Sequence, residues 1–161
     1  MTLRTAAAGL GLLLLAACGG CGAGSAVSDL GTVVKGAKGA TVPVELRSGQ
    51  RFSLAVTGNA SVGDSWSLKA LPDTKVVSFI SQEHEGDSDR PGAGGTTYFV
   101  FNAKQPGTTE VRLYDCWRCG TGGTPQSEES RSQSGEAVFT LTVTKEGPAT
   151  SRGPAPPAPS G

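Results

Sequence analysis

The chain has 161 residues with 14 basic and 14 acidic side chains, so its formal net charge is zero when the single histidine is neutral. No basic face stands out along the sequence, which argues against nucleic acid as a partner. Between two ends of unusual composition lie about 105 residues, from roughly Ala40 to Lys145, which is the size of one domain whose core does not need disulfides.

The N-terminal residues have the pattern of an export signal. An early positive charge at Arg4 is followed by a short apolar run and by small residues before Cys18. The run is far shorter than the roughly 20 residues that span a bilayer, so we predict a signal peptide over residues 1–17. The sequence LAAC also fits the lipobox of bacterial lipoproteins, with an ordinary signal peptide as the alternative. We therefore expect lipidation of Cys18 and an extracytoplasmic location at a bacterial cell membrane.

Two further segments lack the large apolar residues that a core requires. Residues 18–39 are rich in glycine and small residues, and predict a flexible tether after the lipidated cysteine. Residues 147–161 are rich in proline and predict a disordered tail, for which a proline-recognising partner is the less favoured alternative. Removal of residues 1–17 would leave 13 basic and 14 acidic residues, a formal charge of −1.

The middle of the chain, residues 40–146, has the alternation of apolar and polar residues that is typical of half-buried strands. Glycine or proline separates most of the candidate strands, and no stretch has a sustained period of 3.6. Seven such strands predict an all-β domain, an immunoglobulin-like antiparallel β-sandwich. In chain order the candidates are TVPVEL, RFSLAV, SWSLKA, KVVSFIS, TTYFVFNA, TEVRLY and AVFTLTV.

Three connections between these strands are long, namely TGNASVGD, QEHEGDSDRPGAGG and DCWRCGTGGTPQSEESRSQSG. Long loops on a rigid sandwich are where binding usually resides. The third contains Cys116 and Cys119, which flank a tryptophan and an arginine. A closed zinc site needs four ligands, and only His84 and Cys21 remain to complete one. A redox motif needs a helix N-terminus, whereas this pair follows a strand. We favour a local disulfide, with metal and redox roles as alternatives, and expect no cofactor.

His84 is the only histidine, and no serine or cysteine near it in sequence suggests a nucleophile and its base. We therefore expect an exposed loop histidine and a protein that is not an enzyme. The acids around it, Glu83, Glu85, Asp87 and Asp89, lack the spacing of a calcium-binding loop and predict a solvated loop instead.

Taken together, the three long loops resemble those of the chagasin family, inhibitors of papain-like cysteine peptidases with an immunoglobulin-like fold. The likeness extends over roughly Val42 to Val143. The family's first loop reads Asn-Pro-Thr-Thr-Gly-Tyr-x-Trp, and this chain has NASVGDSW. Asn59, Gly63 and Trp66 keep the family's positions, and Ser61 stands for a threonine. The residues that depart from the pattern are Ala60, Val62 and Asp64.

The second and third loops carry the rest of the resemblance. Gly92, Gly94 and Gly95 match the glycine-rich segment that precedes a Phe-x-Phe-x-Ala strand in the family. After a strand that ends in tyrosine, the family has Arg-Pro-Trp. This chain has Trp117 and Arg118 in the reverse order and lacks the proline. The resemblance suggests that a disulfide replaces the stiffness of that proline and presents both side chains.

The resemblance implies a steric mechanism, in which three adjacent loop tips fill the peptidase cleft on both sides of the catalytic cysteine. The expected partner is a papain-like cysteine peptidase, and we expect a monomer. Val62 and Asp64 lie at the tip expected nearest the catalytic cysteine. Because the first and third loops are altered, a non-inhibitory envelope lipoprotein that binds another protein stays the second hypothesis. The implied binding residues are Asn59, Ser61, Val62, Gly63, Asp64, Gly92, Gly94, Gly95, Trp117 and Arg118.

Overall fold

The structure, a computed structural model, describes residues 29–88 and 90–145. These residues form eight strands and one short helix. The elements are β1 Thr32–Lys35, β2 Thr41–Arg47, β3 Arg51–Gly58, β4 Trp66–Ala70, β5 Val77–Gly86, β6 Gly95–Ala103, β7 Gly107–Asp115, α1 Glu128–Gln133 and β8 Gly135–Thr144. The strands make two four-stranded sheets, ordered β1-β3-β6-β5 and β2-β8-β7-β4, and the predicted all-β sandwich is therefore confirmed. The sheets are not purely antiparallel as predicted, because β1 pairs with β3 and β2 with β8 in parallel.

Several predictions from the sequence concern parts of the chain outside the described residues. They include the signal peptide, lipidation of Cys18, the candidate metal ligand Cys21, the acid Asp89 and the tail over residues 147–161. Within the described ranges, no helix is long and apolar enough to cross a bilayer.

Alternating apolar residues of the two sheets form the core between them. The strand β3 turns Phe52, Leu54 and Val56 inward, as its sequence pattern predicted, and each is at most 1% exposed. Phe52 stacks on Phe101 of β6 with ring centroids 5.5 Å apart. Burial of one such side chain contributes about 1.5–3 kcal/mol, so this shared core supplies the rigid support on which the loops stand.

The strand β1 is an addition to the predicted fold. It lies inside the segment 18–39 and pairs in parallel with β3, from Thr32 opposite Phe52 to Lys35 opposite Ala55. Gly31, just before it, runs so close to the carbonyl of Arg51 that a side chain would not fit. The prediction of a flexible tether is therefore wrong for residues 32–35. An edge strand needs only the backbone of its neighbour, which the composition does not reveal.

The helix α1 lies in the third long connection, where the sequence predicted only a loop. Ser127 caps it by accepting a hydrogen bond from the Ser130 N–H at 3.0 Å. Glu128 and Glu129 occupy the first turn, where acidic side chains interact favourably with the helix dipole. Six residues are too few for a 3.6-residue period to be seen in the sequence.

The strand β5 extends further than predicted, and this shortens the second loop. Glu83, His84 and Glu85 pair with β6, although they were predicted to lie in a loop. They are polar because β5 is an edge strand, which explains why apolar alternation failed to reveal them. Asp87 lies beyond the strand and is exposed, as expected.

The sandwich has two distinct ends. One, the loop end, carries the three long loops. The other, the base, carries the ends of β6 and β8 and the turn between β2 and β3. In that turn Ser48 N–H donates to the carbonyl of Thr144 and Gly49 N–H to that of Ala103, each at 2.9 Å. Gln50 Nε2 also donates to Thr32 Oγ1 at 3.0 Å, so β1 begins at the base and runs toward the loops.

Candidate functional site

The first loop is a tight turn in which several N–H groups donate to one carbonyl oxygen. The N–H groups of Val62, Gly63 and Asp64 all point at the carbonyl oxygen of Asn59, at 3.1, 3.2 and 3.2 Å. The Asn59 side chain adds an acceptor, because its Oδ1 receives the Ser61 N–H at 2.9 Å. This turn leaves Val62 at the tip with 48% of its surface exposed.

The second loop, of which the structure describes residues 87–88 and 90–94, packs directly on the first. Asn59 Nδ2 donates to the carbonyl of Gly92 at 3.0 Å, which joins the two loops. A Cβ on Gly94 would lie 3.1 Å from Asp87 Oδ2 and 3.3 Å from the carbonyl of Gly58, closer than side chains normally approach. Glycine at position 94 therefore permits the close contact between the loops.

Gly95 has a different position from the other glycines of this segment. It is buried as the first residue of β6 and does not lie at a loop tip. A Cβ there would come within 2.7 Å of His84 Cε1, so the missing side chain leaves room for the imidazole ring. Gly95 thus supports the packing beneath the second loop rather than lying at the tip of that loop.

Arg118 joins the third loop to the first. Its backbone N–H donates to the carbonyl of Gly63 at 2.8 Å, and its Nε donates to the carbonyl of Val62 at 3.1 Å. The guanidinium lies 4.4 Å from the ring centroid of Trp117, within the range of a cation–π contact. Gly63 has a φ of 118°, and a Cβ there would collide with Arg118 Cγ. Arg118 is therefore both a presented side chain and a bridge between loops.

The backbone of Trp117 is held from two sides. A disulfide joins Cys116 to Cys119, with Cα atoms 5.6 Å apart, as the sequence favoured. On the other side, Ser130 Oγ of α1 donates to the carbonyl of Trp117 at 2.6 Å, and Ser134 Oγ accepts the Trp117 N–H at 2.9 Å. The helix that sequence reasoning missed is therefore a second support for the third loop.

The bonded sulfur atoms bear on the metal and redox alternatives for this loop. Because each is bonded to the other in the structure, neither is free to bind a metal ion. Among the residues that the structure describes, no group of three or more His, Cys, Asp or Glu side chains is arranged to hold a metal ion.

An ion pair lies beneath the first and third loops. Asp115 is fully buried, its Oδ2 is 2.7 Å from Lys38 Nζ, and its Oδ1 accepts the Ser65 N–H at 2.7 Å. Lys38 also donates to the carbonyl of Gln133 at 3.0 Å and lies 3.6 Å from Asp64 Oδ1. One ammonium group therefore connects the segment before β2 with both loops and with the residue that ends α1.

Burial and charge act in opposite directions on this pair. Burial raises the pKa of the Asp115 carboxyl above its ordinary value of 3.8, although the hydrogen bonds from Lys38 and the Ser65 N–H oppose the rise. Burial alone would lower the pKa of Lys38. Attraction to Asp115 and then to Asp64 outweighs that effect and raises the pKa above its ordinary value of 10.5. Lys38 is therefore the group that makes a buried carboxylate tolerable here.

Asp64 turns away from the tip on which the sequence placed it. Its Oδ2 accepts the Asn59 N–H at 2.7 Å, its Oδ1 faces Lys38, and the side chain is only 19% exposed. The departure from the family's pattern at this position therefore serves the internal structure of the loop. Of the two altered tip residues, Val62 is the one that is presented outward.

Sequence reasoning missed four residues that support the loops: Lys38, Asp115, Ser130 and Ser134. The burial of Asp115 could have been predicted from the sequence. Val111 and Leu113 point inward, and the alternation of β7 makes residue 115 the next inward-facing position. A buried aspartate requires a partner. No local pattern identified Lys38, which lies in a glycine-rich segment and meets Asp115 only in the folded protein.

The comparisons with known proteins identify the family of the chain. Residues 45–128 match the family described as "Chagasin family peptidase inhibitor I42". That span is more than half of the chain and contains the tips of all three loops. The chain therefore belongs to the chagasin family of peptidase inhibitors. No curated protein matches the sequence significantly.

Solved structures that are similar to this one include the following three. Amebosin, solved in solution, has 17% identity and a TM-score of 0.50, with 71% of this chain and 98% of that one covered, and it supports the fold. The cysteine protease inhibitor EhICP2 from Entamoeba histolytica has 13% identity, a TM-score of 0.47 and coverages of 70% and 96%. PbICP-C, solved in complex with falcipain-2, has 14% identity, a TM-score of 0.48 and coverages of 72% and 100%.

Proposed function

We propose that this protein inhibits papain-like cysteine peptidases by filling the active-site cleft with its three loops. We further propose that lipid on Cys18 holds it at a bacterial cell membrane, outside the cytoplasm. The observation that carries the first proposal is the direct joining of the loops at one end of the sandwich. Asn59 links the first loop to Gly92, and Arg118 links the third loop to Val62.

Preorganisation of the loops favours tight binding. The hydrogen bonds, the disulfide and the serines of the α1 region fix the loops before a partner arrives, so little conformational entropy remains to be lost on docking. Trp117 and Arg118 belong to the residue types that dominate interface energies, and their stacking fixes the relative orientation of the two side chains.

The first loop is suited to enter a peptidase cleft without being cut. A cleavable segment must open into an extended conformation across the catalytic cysteine. The turn that begins at Asn59 is held against such opening by three N–H groups that share its carbonyl. The tip presents the uncharged Val62, because the carboxylate of Asp64 is directed toward Lys38. A thiolate and imidazolium pair would therefore meet an apolar side chain rather than a second negative charge.

The test is inhibition of papain and of a cathepsin-like enzyme by the oxidised mature chain over a wide range of concentrations. We expect tight, reversible inhibition that competes with substrate, and an unchanged intact mass of the inhibitor after prolonged incubation. Absence of inhibition at micromolar concentration, or cleavage within the first loop, would contradict the proposal.

A second candidate function is binding of a different envelope protein through the same loops. The reversed order of Trp117 and Arg118 favours it, because it alters side chains that would face a peptidase. Pull-down from envelope extracts would compare the wild-type chain with Val62→Ala/Trp117→Ala. Equal recovery of partners by both forms would count against this candidate.

A further inference from the structure

The base of the sandwich carries an excess of positive charge. Its turns and strand ends contain five basic side chains and two acidic ones among the described residues. The basic residues are Arg47, Arg51, Lys75, Lys104 and Lys145, and the acidic residues are Asp29 and Asp73.

Hydrogen bonds bring these positions to the same end of the fold. Lys104 N–H donates to the carbonyl of Val76 at 2.7 Å, and Lys104 Nζ donates to the carbonyl of Thr74 at 2.9 Å, which joins the turn after β6 to the turn before β5. The turn after Arg47 bonds to the ends of β6 and β8, and Lys145 directly follows β8. The basic residues therefore share one surface.

Most of these charges face solvent without an acidic partner. The Arg51 guanidinium is 3.7 Å from Asp29 Oδ2, so this pair is locally balanced. Arg47, Lys75, Lys104 and Lys145 are exposed, and within the described ranges none of them lies within 4.0 Å of a carboxylate oxygen. A cation cluster of this kind is complementary to a surface of negative charge.

The position of the N-terminal segment indicates which surface that is. Asp29 lies at the base beside Arg51, opposite the loop end. Cys18 precedes it by so few residues that the fully extended segment reaches at most about 40 Å. An anchor on Cys18 therefore keeps Asp29 and the base within about 40 Å of the bilayer, and the basic side chains of the base favour the orientation in which the base faces the membrane. The strands hold the loops away from the base by about 30 Å, since β8 has 10 residues at about 3.3 Å each.

We propose that the base docks on anionic phospholipid headgroups, so that the three loops point away from the membrane toward incoming peptidases. This inference rests on the proposed lipid anchor and adds a second, electrostatic contact to it. Basic clusters next to an anchor bind anionic lipid surfaces, and the attraction decays within about 8–10 Å at physiological salt. Docking in this orientation leaves Val62, Trp117 and Arg118 accessible.

The test is a lysine footprint of the wild-type mature chain. An amine-reactive acetylating reagent is applied to the protein on vesicles containing phosphatidylglycerol and on vesicles of phosphatidylcholine alone, and the modified lysines are quantified by mass spectrometry. We expect severalfold slower modification of Lys75, Lys104 and Lys145 on the anionic vesicles, with the protection removed by high salt. Lys35 and Lys69, which lie away from the base, serve as internal controls and should react equally on both vesicles.

Each outcome of the footprint decides the proposal. Equal modification of the base lysines on both kinds of vesicle, or equal protection of Lys35 and Lys69, would overturn it. The footprint does not depend on peptidase inhibition, so a failure of the inhibitor proposal can be distinguished from a failure of the docking proposal. The intact mass reports the lipid on Cys18 independently. If Cys18 carries no lipid, the chain is mixed with the anionic vesicles in solution and the same footprint is measured. A lack of protection of Lys75, Lys104 and Lys145 would again overturn the inference.

Discussion

Lys38 and Asp115 lie 77 positions apart in the sequence, yet Lys38 Nζ is 2.7 Å from Asp115 Oδ2 directly beneath the first and third loops. The aspartate is fully buried, whereas the lysine side chain is 37% exposed. The pair connects the segment between β1 and β2 with the end of β7, where the third loop begins. The same ion pair thus orders the segment between β1 and β2 and supports the loops.

Replacement of Lys38 by methionine should destabilise the protein at neutral pH. The variant keeps an aliphatic side chain but leaves the carboxylate of Asp115 buried without its counter-ion. Loss of one partner of a buried pair costs roughly 3–5 kcal/mol, and the partial exposure of Lys38 places the expected loss at or below the lower end of that range. Thermal and urea unfolding measure it, and Lys35→Met, on the exposed strand β1, is the matched control.

The loss should depend on pH in a defined direction. The pKa of the Asp115 carboxyl is raised in the folded protein, so ionisation of this group opposes folding. The stability that the protonated carboxyl contributes is greatest below pH 3.8 and is lost as pH rises through the folded pKa. The difference in melting temperature between wild type and Lys38→Met should therefore be large at pH 7 and should decrease toward pH 4. A gap of constant width would show that the carboxylate of Asp115 does not depend on Lys38.

Asn59→Asp should weaken inhibition although it is nearly isosteric. The carboxylate can still accept the Ser61 N–H, but it cannot donate to the carbonyl of Gly92 and would face that oxygen with negative charge. One lost hydrogen bond contributes about 0.5–1.5 kcal/mol, so the inhibition constant should rise by up to about tenfold, and further through repulsion. Asn102→Asp, far from the loops, should inhibit like wild type. If both variants inhibit equally, the link between the loops does not matter.

Gly63→Ala should distort the contact between the first and third loops. The positive φ is unfavourable for a side chain, at about 1–3 kcal/mol, and the added methyl group collides with Arg118 Cγ. Gly123→Ala is the control, because Gly123 also has a positive φ, 67°, but faces open space. We expect both variants to lose stability and only Gly63→Ala to lose inhibition strongly. Equal inhibition constants for the two would remove the proposed role of the Arg118 bridge.

Removal of the disulfide should affect inhibition more than stability. The ring between Cys116 and Cys119 is small, so the chain entropy that it removes contributes about 2 kcal/mol or less. Cys116→Ala/Cys119→Ala should therefore melt only slightly lower while its inhibition constant rises, because the Trp117 backbone loses one of its two supports. Assays of cysteine peptidases contain thiol, so the wild-type disulfide must be verified by mass under assay conditions. An unchanged inhibition constant would mean that α1 alone fixes the loop.

The fold was largely predictable because its core follows a local rule. Alternation in β3, β6, β7 and β8 revealed which residues face inward, and the long gaps revealed where loops must lie. The strand β1 and the polar half of β5 escaped prediction because edge strands are held by the backbone of a neighbour and not by an apolar face. The helix α1 escaped it because one and a half turns carry no measurable period.

The candidate site was predictable only in its surface residues. Asn59, Trp117 and Arg118 were identified from the resemblance, and the structure brings them together. Their supports were not identified, because Lys38 and Asp115 become neighbours only when distant segments meet. For the same reason the direction of the Asp64 side chain, inward rather than toward the tip, could not be read from its place in the loop.

Hydrogen exchange of the chain with and without papain tests the central claim most directly. If three loops fill the peptidase cleft, exchange should slow on binding at residues 60–64, 87–94 and 117–120, and stay unchanged at the base, residues 47–50 and 104–106. Protection confined to one loop, to a sheet face or to the base, in a complex that still inhibits, would contradict the account.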